Sequence, residues 1–177
     1  MPMRKVIYGG ACSLDGFLAD ARGQVDWLHF SKDVEAVMAK HWAAIDTVLF
    51  GRKTWQVAAA AGGGPSGLQV KSYVFSKTLT GLPEAAGELV TDDAGLFVRA
   101  LKQQPGKDIM LMSGGNLARS LFQAGVIDEV GLNIHPILLG SGVPAFVDPG
   151  VRIALELVES RVMDGGCVLV DYRVKYS

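Results

Sequence analysis

Basic and hydroxyl side chains in this chain recur directly after short apolar runs. Gly51-Arg52-Lys53-Thr54-Trp55 follows the run 47–50, and Ser76-Lys77-Thr78 follows the run 70–75. Guanidinium, ammonium and hydroxyl groups so grouped suit a phosphate, which they hold by charge-assisted hydrogen bonds. A third run, 108–112, opens into Ser113-Gly114-Gly115-Asn116-Leu117, after which Leu117, Leu121 and Phe122 recur at helical spacing toward Gly125. Strand, glycine pair and helix place unpaired backbone N–H groups where they can face an anion, and glycine removes the Cβ that would keep a phosphate away. A fourth run exits into Ala11-Cys12-Ser13-Leu14-Asp15-Gly16-Phe17. Any one of these turns alone reads equally well as plain surface. Together they suit a ligand with phosphates at both ends of its reach, such as a dinucleotide with an extra 2′-phosphate. No G-x-G-x-x-G follows the first strand, and no acidic residue stands where that fingerprint binds a ribose hydroxyl. The cations at the second and third exits favour NADP over NAD.

Such exits cooperate only if their strands lie side by side, because open α/β sheets bind ligands beyond the carboxyl ends of the strands. Strands are expected at 5–11, 47–50, 70–75, 88–91, 108–112 and 128–137. Between them, helices are expected at 33–44, 54–61, from Asp92 or Asp93 to 103, and 115–124, the third ending at Pro105-Gly106. The segments 153–163 and 167–176 flank Asp164-Gly165-Gly166, a hairpin signal. The expected fold class is therefore α/β, a mostly parallel central sheet with an antiparallel C-terminal hairpin, in a single domain over 1–177. Gly62-Gly63-Gly64-Pro65-Ser66-Gly67 is expected to be a surface loop.

Bulk composition narrows the function. The 177 residues are 49% hydrophobic and 20% charged, with a net charge of -1, which describes a well-packed globule without the basic footprint of a nucleic-acid binder. No apolar run nears the ~20 residues of a membrane span, and the N-terminus leads into a strand rather than a signal-peptide core. Two well-separated cysteines, Cys12 and Cys167, are expected to be buried free thiols in a cytoplasmic protein. Three scattered histidines and no CxxC leave no metal site in the expectation.

At these residues the chain resembles a known family. Gly51-Arg52-Lys53-Thr54-Trp55 looks like the dihydrofolate reductase motif on the NADP 2′-phosphate side. Ser13 to Ala19, the block 114–130, and His135-Pro136-Ile137-Leu138-Leu139-Gly140-Ser141-Gly142 resemble the reductase domain of bifunctional riboflavin-biosynthesis enzymes. The likeness spans nearly the whole chain and identifies it as a stand-alone member of the riboflavin-reductase C-terminal, dihydrofolate reductase-like superfamily. The resemblance implies a three-layer fold, NADPH as cofactor, and a homodimer. It also implies hydride transfer to a pteridine- or aminopyrimidine-like substrate, similar to 5-amino-6-(5-phosphoribosylamino)uracil. Two other readings remain open: true dihydrofolate reduction, and a non-catalytic dinucleotide- or flavin-binding protein.

The resemblance assigns roles along the strand exits. Ala11, Leu14 and Gly16 would line the nicotinamide. Gly51, Arg52, Lys53, Thr54, Ser76 and Lys77 would serve the phosphate side, and Ser113, Gly114, Gly115, Asn116 and Leu117 would cradle the pyrophosphate. The chain also departs from the pattern. It lacks the H-x-E and P-C-x-x-C deaminase signature. Phe17 stands where the family carries an Arg, and Ser113 where it carries a Glu, both substrate-side positions. Phe17 and Trp27 are candidates to hold a flat, conjugated substrate, or are core aromatics. Three carboxylates are candidates for the proton step, Asp33, Asp15 and Asp26, the last expected to be an exposed residue. Asp33, six residues after Trp27, is either that acid or the N-cap of its helix, and Asp15 is either a second candidate or the residue that sets the turn before Gly16.

Overall fold

A computed structural model describes residues 3–60, 70–83 and 86–176. The loop expected at 62–67 lies outside the described residues. Apolar, β-branched runs form the strands β1 (Val6–Ser13), β3 (Ile45–Gly51), β4 (Lys71–Phe75), β5 (Glu88–Val90), β6 (Asp108–Met112) and β7 (Glu129–His135). The chain ends in a hairpin of β9 (Ala154–Val162) and β10 (Val168–Lys175). These eight strands make one sheet in the order β5-β4-β3-β6-β1-β7-β10-β9. All pairs from β5 to β7 are parallel; β10 runs antiparallel to both β7 and β9. A mostly parallel sheet closed by an antiparallel hairpin is the architecture expected.

Helices cover both faces. α3 (Ala94–Lys102) and α4 (Gly115–Gln123) bury Val98, Leu101, Ala118 and Leu121 against Tyr8, Leu49, Ile109 and Leu111. On the other face, Trp42 of α1 (Lys32–Ala43) and Trp55 of α2 (Arg52–Ala60) pack over Val48, Phe50, Val74 and Met110. Val34 of α1 joins Met163, Cys167 and Leu169 in a separate cluster, so α1 reaches across to the hairpin. Both cysteines are free and buried, and burial pushes the Cys12 thiol up to about 11.

Boundaries differ from the sequence expectation where pairing or covalent geometry overrides pattern. β1 runs on to Ser13 because the whole stretch from Ile7 to Ser13 is registered on β7. β7 stops at His135 because Pro136, next in the chain, has no N–H to give the ladder. α2 starts at Arg52, directly after β3, which brings both cations into its first turn. Two strands too short for any periodicity, β2 (Phe17–Ala19) and β8 (Val143–Pro144), form a separate two-stranded sheet.

Candidate active site

The exits of β1, β3, β4 and β6 share one edge of the sheet because those strands are parallel and adjacent. Gly51 at the end of β3 shows how close they are: a Cβ there would lie 3.5 Å from Ser113 Cβ and 3.9 Å from Leu117 Cβ. Beside this junction lies a cleft of about 620 Å³, lined by Ser76 and Lys77 from the β4 exit, by Thr91, Asp92 and Asp93 after β5, and by Asn116, Leu117 and Ser120 of α4. Ser76 is buried; its Oγ accepts from the backbone N–H groups of Thr78 and Leu79, at 3.2 and 3.1 Å, and so sets the turn that carries Lys77. Asp93 Oδ1 accepts from Leu96 N at 2.8 Å and N-caps α3, which settles the Asp92–Asp93 alternative. Asp92 remains in the cleft near Lys77, an acidic neighbour that the sequence reading did not place there. Among the described residues, Arg52, Lys53 and Lys77 enter none of the salt bridges, which leaves them available to an anion.

α4 begins at the cleft. Its N-cap is Gly114, with no side chain capping the first amides, so those N–H groups are open to a ligand at a helix N-terminus. The two glycines serve different ends from those expected. At Gly114 a Cβ would have ordinary room, 3.6 Å from Val143 Cγ1, whereas at Gly115 it would lie 2.6 Å from Val147 Cγ2 and 3.0 Å from Val147 N. Gly115 is therefore glycine so that the 146–147 segment can pack on the helix start. Ser113 is buried with its Oγ donating to Gly114 O at 3.1 Å, and so braces the strand-to-helix turn.

On the other side of the junction, β1 turns at Gly16, whose φ of +85° is the left-handed region glycine favours. Ser13 is buried. Its Oγ donates to Asp15 Oδ1 at 2.6 Å and accepts from Phe17 N at 2.9 Å. Asp15 also accepts from Leu139 N at 3.1 Å and Gly140 N at 2.7 Å. The Ser13 hydroxyl and these amides hold the Asp15 carboxyl below its usual range. Asp33 is engaged likewise: Ser31 Oγ donates to it, and Asp164 N donates to Oδ2 at 2.9 Å. Its carboxyl too is held low, chiefly by Ser31. Neither geometry is that of an acid holding a proton at neutral pH. The two carboxylates act as latches, Asp15 tying the first loop to 139–140 and Asp33 tying α1 to the hairpin turn. Nor is Asp33 the helix cap, since the N-cap position belongs to Ser31.

Of the residues expected at the site, Ser76, Lys77, Asn116 and Leu117 share the cleft, with Gly51 and Ser113 at its junction and Arg52, Lys53 and Thr54 in the adjoining first turn of α2. Ala11, Leu14, Gly16 and Phe17 stand at the neighbouring β1 exit, Leu14 with its side chain 67% exposed. Phe17 belongs to β2, paired with Pro144. Trp27 packs edge-on against His135, with ring centroids 5.4 Å apart. His135 is buried, and its Nε2 meets the backbone of His29, so the segment before α1 is pinned to the end of β7.

A mostly parallel sheet of this order with a ligand-ready edge defines a dihydrofolate reductase-like domain of the riboflavin-reductase type. The chain belongs to the RibD C-terminal domain family, whose model matches residues 4–169. It is 33% identical over 183 residues to YyaP, an uncharacterised protein of Bacillus subtilis (strain 168), covering 97% of this chain and 96% of that one. Among solved structures, a Shewanella sp. PV-4 protein provisionally named for riboflavin biosynthesis superposes with a TM-score of 0.86 at 25% identity, covering 97% of this chain and 99% of that one. The diaminohydroxyphosphoribosylaminopyrimidine deaminase/5-amino-6-(5-phosphoribosylamino)uracil reductase of Thermotoga maritima superposes with a TM-score of 0.70 at 18% identity. This chain, 97% of it aligned, matches 56% of that longer protein, and at this identity the likeness speaks for the fold alone.

Proposed function

We propose that this protein is an NADPH-dependent reductase that delivers hydride to a pteridine- or aminopyrimidine-like heterocycle. The observation that carries the reading is the cleft at the β4, β5 and α4 edge, where Lys77, Ser76 and the open start of α4 converge next to Arg52 and Lys53. Anion-ready amides on one side and cations that are unpaired among the described residues on the other match the two phosphate groups of the cofactor. Arg52, Lys53 and Lys77 would hold the 2′-phosphate side, the first turn of α4 the pyrophosphate, and Ala11 and Leu14 the nicotinamide.

The bound dihydronicotinamide supplies the hydride, and the protein supplies binding, orientation and a sheltered place for the reacting C=N or C=O bond. The carbon takes the hydride and the heteroatom takes a proton. The hydrogen bonds that lower the Asp15 and Asp33 carboxyls favour their charged forms, so this reading takes the proton from solvent water. That same observation favours one second reading, a protein that retains a dinucleotide or flavin without turnover.

Titration of NADPH, NADH and FMN, followed by nicotinamide fluorescence, tests both readings. NADPH is expected to bind at least about tenfold tighter than NADH, with the preference lost in Arg52→Ala and Lys77→Ala, because each removes a charge-assisted bond to phosphate. Asp92 is the opposing element, since a carboxylate in that cleft suits an unphosphorylated ribose. Equal affinity for NADH would reassign the cofactor, and preferential FMN binding would favour the second reading.

A further inference from the structure

The cleft beside β4, β5 and α4 carries a charge balance opposite to the one its neighbours suggest. Its walls hold one cation, Lys77, and two carboxylates, Asp92 and Asp93. Arg52 and Lys53 stand outside the lining, in the first turn of α2. Negative side chains therefore outnumber positive ones in the cleft itself. The two carboxylates are not equivalent. Asp93 Oδ1 accepts from Leu96 N at 2.8 Å and Asp93 O from Phe97 N at 3.0 Å, so Asp93 is committed to the start of α3. Asp92 has no such task. It is exposed, as Lys77 is, and among the described residues it enters none of the salt bridges.

The place of Asp92 is nonetheless fixed. Ser76 N donates to Val90 O at 3.1 Å, which ties the β4 exit to the end of β5. On the other side α3 is pressed against the end of α4, where a Cβ on Gly95 would lie 2.5 Å from Ala124 Cβ. The segment 91–93 is held between these two contacts, so Asp92 belongs to a preformed wall. Phe75, Val90, Leu117 and Ala124 add apolar surface to the same cleft. Apolar lining with a few fixed polar groups is the make-up of a site for a flat ring that bears a polar substituent.

We propose that Asp92 is the specificity-determining residue for the ribose of the bound nucleotide, accepting from a free 2′-hydroxyl and repelling a phosphate at that position. The inference rests on the reading that this cleft takes the adenosine end of a dinucleotide. Lys77 and Asp92 then act in opposition on one sugar position, the ammonium favouring a 2′-phosphate and the carboxylate a free diol. An ionised aspartate is an acceptor only, so it complements hydroxyl donors and meets a phosphate as a like charge. The cleft accepts both forms of the nucleotide, and Asp92 sets how far the phosphorylated one is preferred.

The probes are adenosine 2′,5′-bisphosphate and adenosine 5′-monophosphate, which differ only in the 2′-phosphate and carry no nicotinamide. Their affinities are measured by NMR titration of the full chain, for the wild type, Asp92→Asn and Asp92→Glu. Asp92→Asn keeps the shape and removes the charge. It is expected to raise the ratio of bisphosphate to monophosphate affinity at least about fivefold, whereas Asp92→Glu, which keeps the charge, should stay within about twofold of the wild type. The gain in Asp92→Asn should fade between about 0.01 M and about 1 M salt, as the Debye length falls from about 30 Å to about 3 Å. A mere change of cleft shape would not fade. The thermal midpoint of Asp92→Asn should match that of the wild type, since the substituted side chain is exposed. A ratio unmoved in Asp92→Asn, or a shift of both affinities by one factor, overturns the proposal. So does a wild type that binds neither probe. NADPH is titrated separately: a protein that shows the Asp92 effect with the two probes yet does not bind NADPH keeps the nucleotide site and loses the reductase reading.

Discussion

Asp171 shows how one side chain can be read in two directions of pH. It lies half-buried over Gly131, and burial raises its carboxyl above the ordinary value; Glu159 and Glu129 push the same way, while His41 and Arg161 oppose. A folded-state value above the unfolded one means that the native protein binds the extra proton, so this residue's contribution to stability falls as pH rises from about 3.8 through the raised value. Asp171→Asn is therefore expected to raise the thermal midpoint at pH 7, with the gain vanishing below pH 4; a variant less stable than wild type at pH 7 would contradict the assignment. Asp15 and Asp33 have the opposite sign. Their carboxyls are held low by hydrogen bonds, so what they contribute is present above their unfolded values and is lost as acid protonates them. Asp15 and Asp33 are lowered chiefly by hydroxyls two residues away, Ser13 and Ser31, with the distant amides of Leu139, Gly140 and Asp164 adding to the effect. Asp171, by contrast, stands in the apolar strand β10, and the Gly131 beneath it comes from a distant segment.

Elements carry the next set of consequences. The start of α4 is pressed against the 146–147 segment, and Gly115→Ala is expected to cost about 1–3 kcal/mol in urea unfolding because the added methyl meets Val147. Gly114→Ala has room for its methyl and should fold normally, so a loss of NADPH affinity in that variant would report a phosphate lying against the turn. Removing the first latch by Asp15→Ala should leave the sheet intact while speeding hydrogen exchange at the Leu139 and Gly140 amides, which donate to that carboxylate. Unchanged exchange at both would mean the loops are held together by other contacts. These two glycines also mark where local reading stops. Ser-Gly-Gly after an apolar strand announces a tight strand-to-helix turn, and that is what forms. Which glycine is needed for space depends on Val147, more than thirty positions away.

At the scale of the molecule, the hairpin poses a question of cover. β9 is exposed along its length, and its residues divide by face. Glu156, Glu159 and Arg161 share a side with the salt bridges to Arg173 and Lys175, while Leu155 and Leu157 point with Tyr172 and Val174 to the face opposite α1. Nearby, Phe122, Phe146, Val151 and Ile153 enclose an apolar hollow of about 250 Å³. We propose that a second copy of the chain covers this apolar face, since a two-fold axis would bring two identical, self-complementary patches together. Light scattering behind gel filtration should show a dimer, and Leu157→Glu should shift it to monomer; a wild-type monomer at all concentrations would remove the idea. None of the helices among the described residues is long and apolar enough to cross a membrane.

Among the described residues, the elements long enough to carry a period, and the hairpin turn with its own chemistry, could be placed from local sequence. Apolar runs became strands, the Leu117, Leu121 and Phe122 spacing became α4, and Asp164-Gly165-Gly166 became the hairpin turn. The basic exits were legible for the same reason: Arg52 and Lys77 follow their strands directly, and parallel neighbours bring such exits to one edge. Sequence could not reach β2 and β8, which are too short to show a pattern and exist only because each pairs with the other. Nor could it reach the setting of Asn133, which stands beside Ala11 and Leu169 and whose carboxamide has no hydrogen-bond partner among the described residues. Local periodicity and turn chemistry act over a few residues and are written in them. Burial, latching and unsatisfied hydrogen bonds are relations between distant segments, and only the folded chain decides them.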